Sequence, residues 1–312
     1  MALSRYTDRL TEEYWKRLFR PSRPKHLSWN LDRSALSEVS VVWPAEYMWK
    51  PAAKWFDQIA AALSRFVSVE RREISQPAGV VLAADFKWGK RSAPIFFDIA
   101  DSSRVDKIKP TNALLYFKMQ HAVEGYKDKN VLPGGYLPNS SDIYSFLGHL
   151  RKRKDHCPPL FDVYGRFGTG FATEVRTAAL RLLRDQEKFR FEGGARRLRY
   201  YRFLSELARA SICIDLPGNG PFCFRLVDYF AIGSCVVAVK HEARLHVELE
   251  DFEHLAYVSP TVDHIVQTCE LLLTKPNLMR DMVAASRDFF ERYLHGEQLA
   301  AYYLSQILEE MS

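Results

Sequence analysis

The sequence predicts an α/β protein of two domains, each a doubly wound sheet with helices on both faces. Three observations lead to this prediction. The chain has 312 residues, more than a single hydrophobic core usually holds. Apolar runs of strand length alternate with helical segments. An apolar strand at 211–216 runs into a glycine-rich turn at 217–220 and then a helix, an arrangement typical of Rossmann-like domains.

The predicted N-terminal domain covers residues 41–155, after a polar extension at 1–40 that is helical at best and is expected to pack on this domain. An amphipathic helix at 54–66 places Trp55, Ile59 and Leu63 on one stripe. The basic run with its double proline, at 151–159, is expected to end a helix that starts at Asp142 and to mark the domain boundary as a solvated linker. Strand-like runs in a βαβ rhythm lie at 40–45, 79–85, 94–101 and 113–120.

The predicted C-terminal domain covers residues 156–295. Helices are expected from Thr173, from Pro221 to Gly233, from a Ser259 cap and from Pro276. A last helix in 296–312 has apolar residues on two adjacent stripes, which predicts that it packs back towards the N-terminal domain. Strand-like runs lie at 160–165, 211–216, 235–239 and 255–259.

Composition sets broad limits on function. The net charge of +6 and pI of about 9.0 suit an anionic partner, such as a nucleotide diphosphate or a nucleic acid, and suit an ordinary basic soluble protein equally well. Five scattered cysteines form no metal-ligand spacing, so no metal site is expected. The charged N-terminus and the absence of an apolar run of membrane-spanning length predict a cytoplasmic protein.

The segment 217–228 carries the clearest chemistry. Gly218 and Gly220 permit close backbone approach, and a helix N-terminus that follows them presents N–H groups and a positive dipole end to an anion. Arg225 adds a permanent charge for a phosphate, and Asp228 lies three residues later, where it could accept from ribose hydroxyls. A plain strand–turn–helix with a surface Arg225–Asp228 pair is the alternative reading.

The stretch from Ser211 to the C-terminus resembles the donor domain of a glycosyltransferase family. This family includes protein O-glucosyltransferases, capsule xylosyltransferases and lipopolysaccharide-modifying enzymes. The resemblance is carried by LPGNG, by Arg225 six residues after Asn219, and by IGSCVV. The pattern RLVDYFAIG is similar to one in exostosin-like and spore-coat-type glycosyltransferases, with Asp in place of Glu. The turn departs from the family because Leu216-Pro217 stands where an Asp is usual.

The resemblance implies a GT-B fold, with a cleft between two domains, and a metal-independent transfer from a nucleotide-diphosphate sugar, most readily a UDP-sugar, to a hydroxyl acceptor. No cofactor is expected. His241 follows the strand 235–239 and is a candidate contact to the transferred sugar. The expected donor-binding residues are Gly165, Arg166, Thr169, Arg176, Gly218, Asn219, Gly220, Phe222, Arg225 and Asp228.

An inverting reaction would need a base from the N-terminal domain. Asp98 and Asp101, at the end of an apolar strand, are the preferred candidates, with Asp85 and His121 as further ones. Two other functions stay open: glycosylation of modified DNA bases, which the basic charge permits, and non-catalytic binding of a nucleotide or sugar phosphate. The sequence favours no nucleic-acid partner, because its basic residues lack interleaved aromatics.

Overall fold

The computed structural model describes residues 10–14, 16–18, 20–77, 79–105 and 111–312. The chain divides into two compact units. The six-stranded unit comprises Pro24–Ser140, Glu242–Glu248 and Glu291–Ser312. The five-stranded unit comprises Ser141–His241, Leu249–Phe290 and the described residues of Met1–Arg23. The units change over at residues 140/141, before the helix that starts at Asp142 rather than after it, where the sequence placed the boundary.

The six-stranded unit is a mixed sheet covered by helices. Its helices are α1 (Arg33–Ser37), α2 (Ala53–Leu63) and α9 (Gly296–Met311). The sheet order is β2-β1-β3-β4-β5-β7, with an extra two-stranded pair formed by β6 and β12. The strands are β1 (Val39–Pro44), β2 (Ser68–Arg72), β3 (Val81–Trp88), β4 (Arg91–Asp98), β5 (Leu115–Lys118), β6 (His121–Ala122), β7 (Val131–Pro133) and β12 (Ala243–Arg244).

The predicted βαβ rhythm is wrong for β3 and β4, which form an antiparallel hairpin. Trp88 pairs with Arg91 across a two-residue turn, and Gly89 adopts φ +58° there. Asp85 consequently lies in the middle of a strand and not at a sheet edge. The periodicity of apolar residues predicted the strands correctly, but it carries no information about their direction.

The last helix, α9, packs into the core of the six-stranded unit. Leu299, Tyr303 and Leu304 are buried in the same apolar cluster as Phe97 and Phe117 of the sheet. The Tyr303 hydroxyl donates to the carbonyl oxygen of Gly134 at 2.5 Å. This helix therefore completes the core of a unit whose sheet lies entirely within residues 39–133.

The five-stranded unit is a fully parallel sheet of order β13-β11-β10-β8-β9, which together with the other unit confirms the α/β fold class. Its strands are β8 (Phe161–Arg166), β9 (Phe191–Gly194), β10 (Ala210–Asp215), β11 (Cys235–Val239) and β13 (Ala256–Val258). Its helices are α3 (Asp142–His156), α4 (Thr173–Asp185), α5 (Tyr200–Leu207), α6 (Phe224–Ile232), α7 (Ile265–Leu273) and α8 (Pro276–Phe289).

Some details differ from the prediction. Helix α3 ends at His156, within the predicted run 151–159, but Arg151 donates to the carbonyl oxygen of Ala231 at 2.7 Å, so the start of this run is packed helix and not a solvated linker. Helix α7 starts at Ile265 and not near Ser259, because Val262 adopts φ +56° and breaks a helical path. Strand β9 lies within a basic stretch that the sequence left without a strand.

The N-terminal extension 1–40 is divided between the two units. Its described residues up to Arg23 belong to the five-stranded unit, contrary to expectation, whereas residues 24–40 belong to the six-stranded unit, as expected. Residues 10–14 and 16–18 are helical, and Lys16 pairs with Asp142 at 2.9 Å. The backbone N–H of Ser22 donates to the Tyr144 carbonyl oxygen at 2.9 Å. Residues 1–9, 15 and 19 of the predicted extension lie outside the described residues. No described helix has the length and hydropathy needed to cross a bilayer.

Gly233 ends helix α6 in a way that allows no side chain. Its φ of +86° is left-handed, and its N–H and that of Ser234 donate to the last carbonyls of the helix, at Tyr229 and Phe230. Arg287 lies against the same end, where it donates to the Ile232 carbonyl oxygen at 3.0 Å. A Cβ at Gly233 would collide with the Arg287 side chain.

We predict that Gly233→Ala lowers the free energy of unfolding by more than the roughly 1–2 kcal/mol that a left-handed alanine costs alone. The excess comes from displacing Arg287. Gly89→Ala is the matched control, since φ is also positive there but the nearest atom to a Cβ is a side-chain oxygen of Glu38 at 3.8 Å. Urea denaturation of both variants measures the difference, and equal losses would contradict the prediction.

Candidate functional site

The five-stranded sheet has a topological switch point between β8 and β10. The connection after β8 leads through α4 to β9 on one side, and the connection after β10 leads through α6 to β11 on the other. The two loops therefore diverge at the carboxyl ends of neighbouring strands. Open α/β sheets bind their ligands at such a point, so this is the candidate site of the unit.

The loop after β10 is held tightly against its own helix. The Gly218 N–H donates to the Gly220 carbonyl oxygen at 2.9 Å, and a Cβ on Gly218 would lie 2.9 Å from the Cys223 sulfur. Neither glycine has a positive φ, so Gly218 is required for close approach rather than for backbone conformation. Helix α6 begins at Phe224, three residues later than predicted, and no side chain caps its N-terminus.

Arg176, from α4, ties the two loops together. Its Nη1 donates to the Gly168 carbonyl oxygen at 2.6 Å and its Nε to the Pro217 carbonyl oxygen at 2.8 Å. Gly168 lies in the loop after β8 and Pro217 in the loop after β10. Arg176 is buried, and burial lowers the pKa of its guanidinium, with the positive charge of Arg225 as the next cause. Two arginines thus face each other at the switch point.

Arg225, Asp215 and His241 form a buried polar cluster beside these loops. Arg225 Nη2 donates to the Leu216 carbonyl oxygen at 3.1 Å and lies 4.0 Å from Asp215 Oδ1. His241 Nε2 lies 3.5 Å from Asp215 Oδ2, and His241 Nδ1 is 3.1 Å from the Tyr257 hydroxyl. Both oxygens of Asp215, Nε of Arg225 and Nε2 of His241 have no hydrogen-bond partner among the described residues.

Phe222 and Gly165 shape the surroundings of this cluster. The Phe222 ring lies 4.3 Å from the His241 ring, centroid to centroid, and covers it. A Cβ on Gly165, at the end of β8, would lie 2.8 Å from the Phe167 ring and 3.3 Å from Cβ of Ile214, so the glycine allows tight packing between β8 and β10. Thr169 lies in the loop after β8, where its carbonyl oxygen accepts from the Thr173 hydroxyl.

Two predicted donor residues are engaged by the protein instead, and this corrects their expected roles. Asp228 is buried, and its Oδ1 accepts from the Tyr200 hydroxyl at 2.7 Å, so this carboxylate is engaged by Tyr200 and is not paired with Arg225 on a surface. Arg166 pairs with Glu192 and, at 3.1 Å, with Glu206. Its guanidinium is therefore neutralised by two carboxylates. Asn219 lies exposed on the turn.

The predicted base candidates lie in the six-stranded unit. Asp98 ends β4 in a buried ion pair with Lys118, Oδ2 to Nζ 3.1 Å, and also accepts from the Tyr116 hydroxyl at 2.5 Å. Its Oδ1 accepts from the Ala100 N–H at 2.8 Å. Asp101 is exposed three residues further on. His121 is buried, and burial lowers its pKa, so it is held neutral. Nowhere in the described chain do three or more His, Cys, Asp or Glu residues gather as metal ligands would.

The sequence did not identify Asp215, Tyr257 or Cys223 as members of the site. Asp215 is the last residue of β10, a position that α/β folds use for ligands, so strand position was the available signal. Tyr257 and Cys223 enter through side-chain contacts to His241 and Arg176. No local pattern in the sequence indicates these two contacts.

Comparison with known proteins places solved glycosyltransferase structures among those similar to this chain. No protein-family model matches the sequence, and no curated protein does. A glycosyltransferase from Rickettsia africae is 12% identical with a TM-score of 0.43, and the match covers 63% of each chain, less than two thirds of that protein's length. MnaA of S. aureus, solved with UDP, is 11% identical with a TM-score of 0.41, over 87% of this chain and 75% of that one.

A further similar structure is the C-terminal domain of LpcC, a group 1 family glycosyl transferase from Francisella tularensis. It is 13% identical with a TM-score of 0.35, over 51% of this chain and 96% of that domain. Identities and TM-scores this low do not transfer a function. The function of this chain has to follow from the residues of the site.

We predict that Arg176→Ala lowers the free energy of unfolding by about 2–4 kcal/mol, because two carbonyl oxygens lose a charged donor inside the protein. Arg181→Ala is the matched control: Arg181 lies on the same helix, exposed, with no contact that the structure records, and its loss should cost under about 0.5 kcal/mol. Urea denaturation measures both, and a similar effect of the two variants would contradict the bridging role.

Proposed function

We propose that the protein is a glycosyltransferase that takes a sugar from a nucleotide-diphosphate donor and transfers it to a hydroxyl acceptor. The observation that carries the proposal is the buried cluster at the switch point. It combines two arginines with a carboxylate whose two oxygens, and an imidazole whose Nε2, have no hydrogen-bond partner in the described chain. A ligand with both phosphates and hydroxyls matches this mixture.

The phosphates would be bound by charge and backbone together. Arg176 and Arg225 oppose each other electrostatically, and Asp215 offsets only one of the two charges. An anion between the loops would relieve the remaining repulsion. Helix α6 points its uncapped N-terminus to the same loop, which adds a favourable dipole for a diphosphate. The proposed transfer is metal-independent, with the two arginines and the helix dipole offsetting part of the diphosphate charge.

The hydroxyls would be bound by Asp215 and His241. A buried carboxylate without a donor costs about 1–3 kcal/mol or more, and hydroxyl groups supply donors whereas phosphates do not. Asp215 thus takes the role that the sequence gave to Asp228. Tyr257 on His241 Nδ1 fixes the ring and turns Nε2 towards Asp215, so a sugar hydroxyl could donate to one group and accept from the other.

The acceptor base would come from the six-stranded unit in an inverting reaction. Asp98 is bound by Lys118, Tyr116 and the Ala100 N–H, so its oxygens are occupied. Asp101 is exposed and is the better candidate. Lys118 and Asp98 would then fix the end of β4 from which Asp101 follows.

We predict that Arg225→Ala weakens UDP binding by roughly 1.5–3 kcal/mol, the range for a hydrogen bond to a charged group. Asp215→Asn should weaken UDP-glucose more than inorganic pyrophosphate, because only the former carries hydroxyls. Calorimetric titration measures both effects. UDP is the first nucleotide to test, and a thermal-shift series with GDP, CDP, TDP and ADP would identify the preferred base.

Arg190→Ala is the matched control for Arg225→Ala. Arg190 pairs with Asp162 at 2.8 Å near the amino end of β8, at the opposite edge of the same sheet. UDP affinity should not change in this variant. Equal effects of the two arginines would argue against the site, and UDP binding without hydrolysis of any nucleotide sugar would favour a binding module over an enzyme.

We predict that Asp101→Asn lowers turnover by about 10² while donor affinity is unchanged, as expected for loss of a general base. Asp98→Asn should instead cost about 3–5 kcal/mol of stability, because it leaves Lys118 buried without a counter-charge. Asp85→Asn, within β3, is the control for turnover. Unchanged turnover in Asp101→Asn would remove this base, as a retaining mechanism also would.

A further inference from the structure

A pocket lies wholly within the six-stranded unit. It has a volume of about 910 Å³, in the range of small-molecule sites. Three of the lining residues are basic, none is acidic, and two are large aromatics. The lining residues used below are Lys25, Trp29, Arg33, Arg65 and Phe66.

The pocket is remote from the candidate base residues. Ser37 and Phe66 of its lining stand two residues before β1 and β2, which run parallel. Strand β3 lies between β1 and β4, and its residue Trp88 pairs with both Val39 and Arg91. The first residues of β1 and β4 are therefore at the same level of the sheet. Asp98 lies seven residues after Arg91 in β4, so at about 3.3 Å per residue it is roughly 23 Å from Arg91. The pocket is thus at the opposite edge of the sheet.

The pocket walls are held by the core of the unit. Gln298, buried in α9, accepts from the Ser28 N–H at 3.0 Å and donates to the His26 carbonyl oxygen at 2.7 Å. The Trp29 ring packs on Tyr302 with 4.9 Å between centroids. These contacts fix the segment that carries Lys25 and Trp29, so the wall does not depend on a ligand.

The charge of the pocket is only partly balanced. Arg65 pairs with Glu297 at 3.4 Å. Lys25 and Arg33, in contrast, have no ion pair or hydrogen bond to any described residue. The nearby carboxylate of Asp32 is used as a helix cap, since it accepts from the Ser34 N–H at 2.8 Å. The pocket is therefore lined by two cations without a described partner, Lys25 and Arg33, and by Arg65, which also pairs with Glu297. Its apolar wall is aromatic.

We propose that this pocket is a second ligand site, separate from the nucleotide site, for a small phosphate monoester that carries a ring. The phosphate binds to Lys25 and Arg33, with Arg65 at its side, because a dianion matches two unpaired cations. The ring lies on the apolar wall formed by Trp29 and Phe66. The site does not depend on the proposed donor chemistry.

The test uses phenyl phosphate as the probe, titrated calorimetrically into the full chain, with inorganic phosphate and phenol as separate arms. Phenyl phosphate is expected to bind more tightly than either. Lys25→Glu with Arg33→Glu should weaken it at least about tenfold, the loss expected for charged hydrogen bonds. The matched control is Lys127→Glu with Lys129→Glu, an equal charge change at exposed positions before β7, at the far side of the sheet. It should change affinity less than about twofold.

Arg225→Ala distinguishes this site from the nucleotide site. The variant is expected to retain phenyl phosphate binding, whatever its effect on UDP. Loss of phenyl phosphate binding in Arg225→Ala would place the probe at the switch point and overturn the proposal. So would equal weakening by the two charge-reversed pairs, equal affinity for inorganic phosphate, or no saturable binding at all. Circular dichroism confirms that each variant is folded.

Discussion

The candidate site depends on one buried guanidinium. Arg176 has two carbonyl oxygens as partners, one in each loop of the switch point, and no other described residue donates to both. Its charge is costly in that position, as the lowering of its pKa by burial and by Arg225 indicates. A protein that needed only to join two loops could do so with a neutral side chain. Under the proposed function, an anion bound beside Arg176 would offset this charge.

Most elements could be predicted from the sequence because they depend on local patterns. The apolar runs became strands, and Gly233 ended α6 as a left-handed glycine should. The errors arose where non-local or backbone features decide. Strand direction in the β3–β4 hairpin depends on the turn at Gly89, and the start of α7 depends on the backbone angle of Val262.

The site was predicted in part for the same reason. Arg225 was a candidate because charge next to a glycine-rich turn is a local signal, whereas Arg176 was a candidate only through the resemblance to a glycosyltransferase family. Asp228 is engaged by the distant Tyr200, and Asp215, to which the sequence gave no role, is approached by the distant His241. Tertiary packing decides whether a carboxylate near a turn has a protein partner. The spacing of residues along one helix gives no information about that packing.

The route of the chain between the two units also bears on how the protein is made. Residues 24–140 supply every strand of the larger sheet, yet helix α9, which fills its core, is the last helix in the chain. During synthesis, the first sheet therefore leaves the ribosome with only part of its core in place, since α2 is present but α9 is not. That core stays incomplete until the five-stranded unit, which is encoded in between, has been translated. The unit whose sheet is synthesised first is thus the last to complete its core.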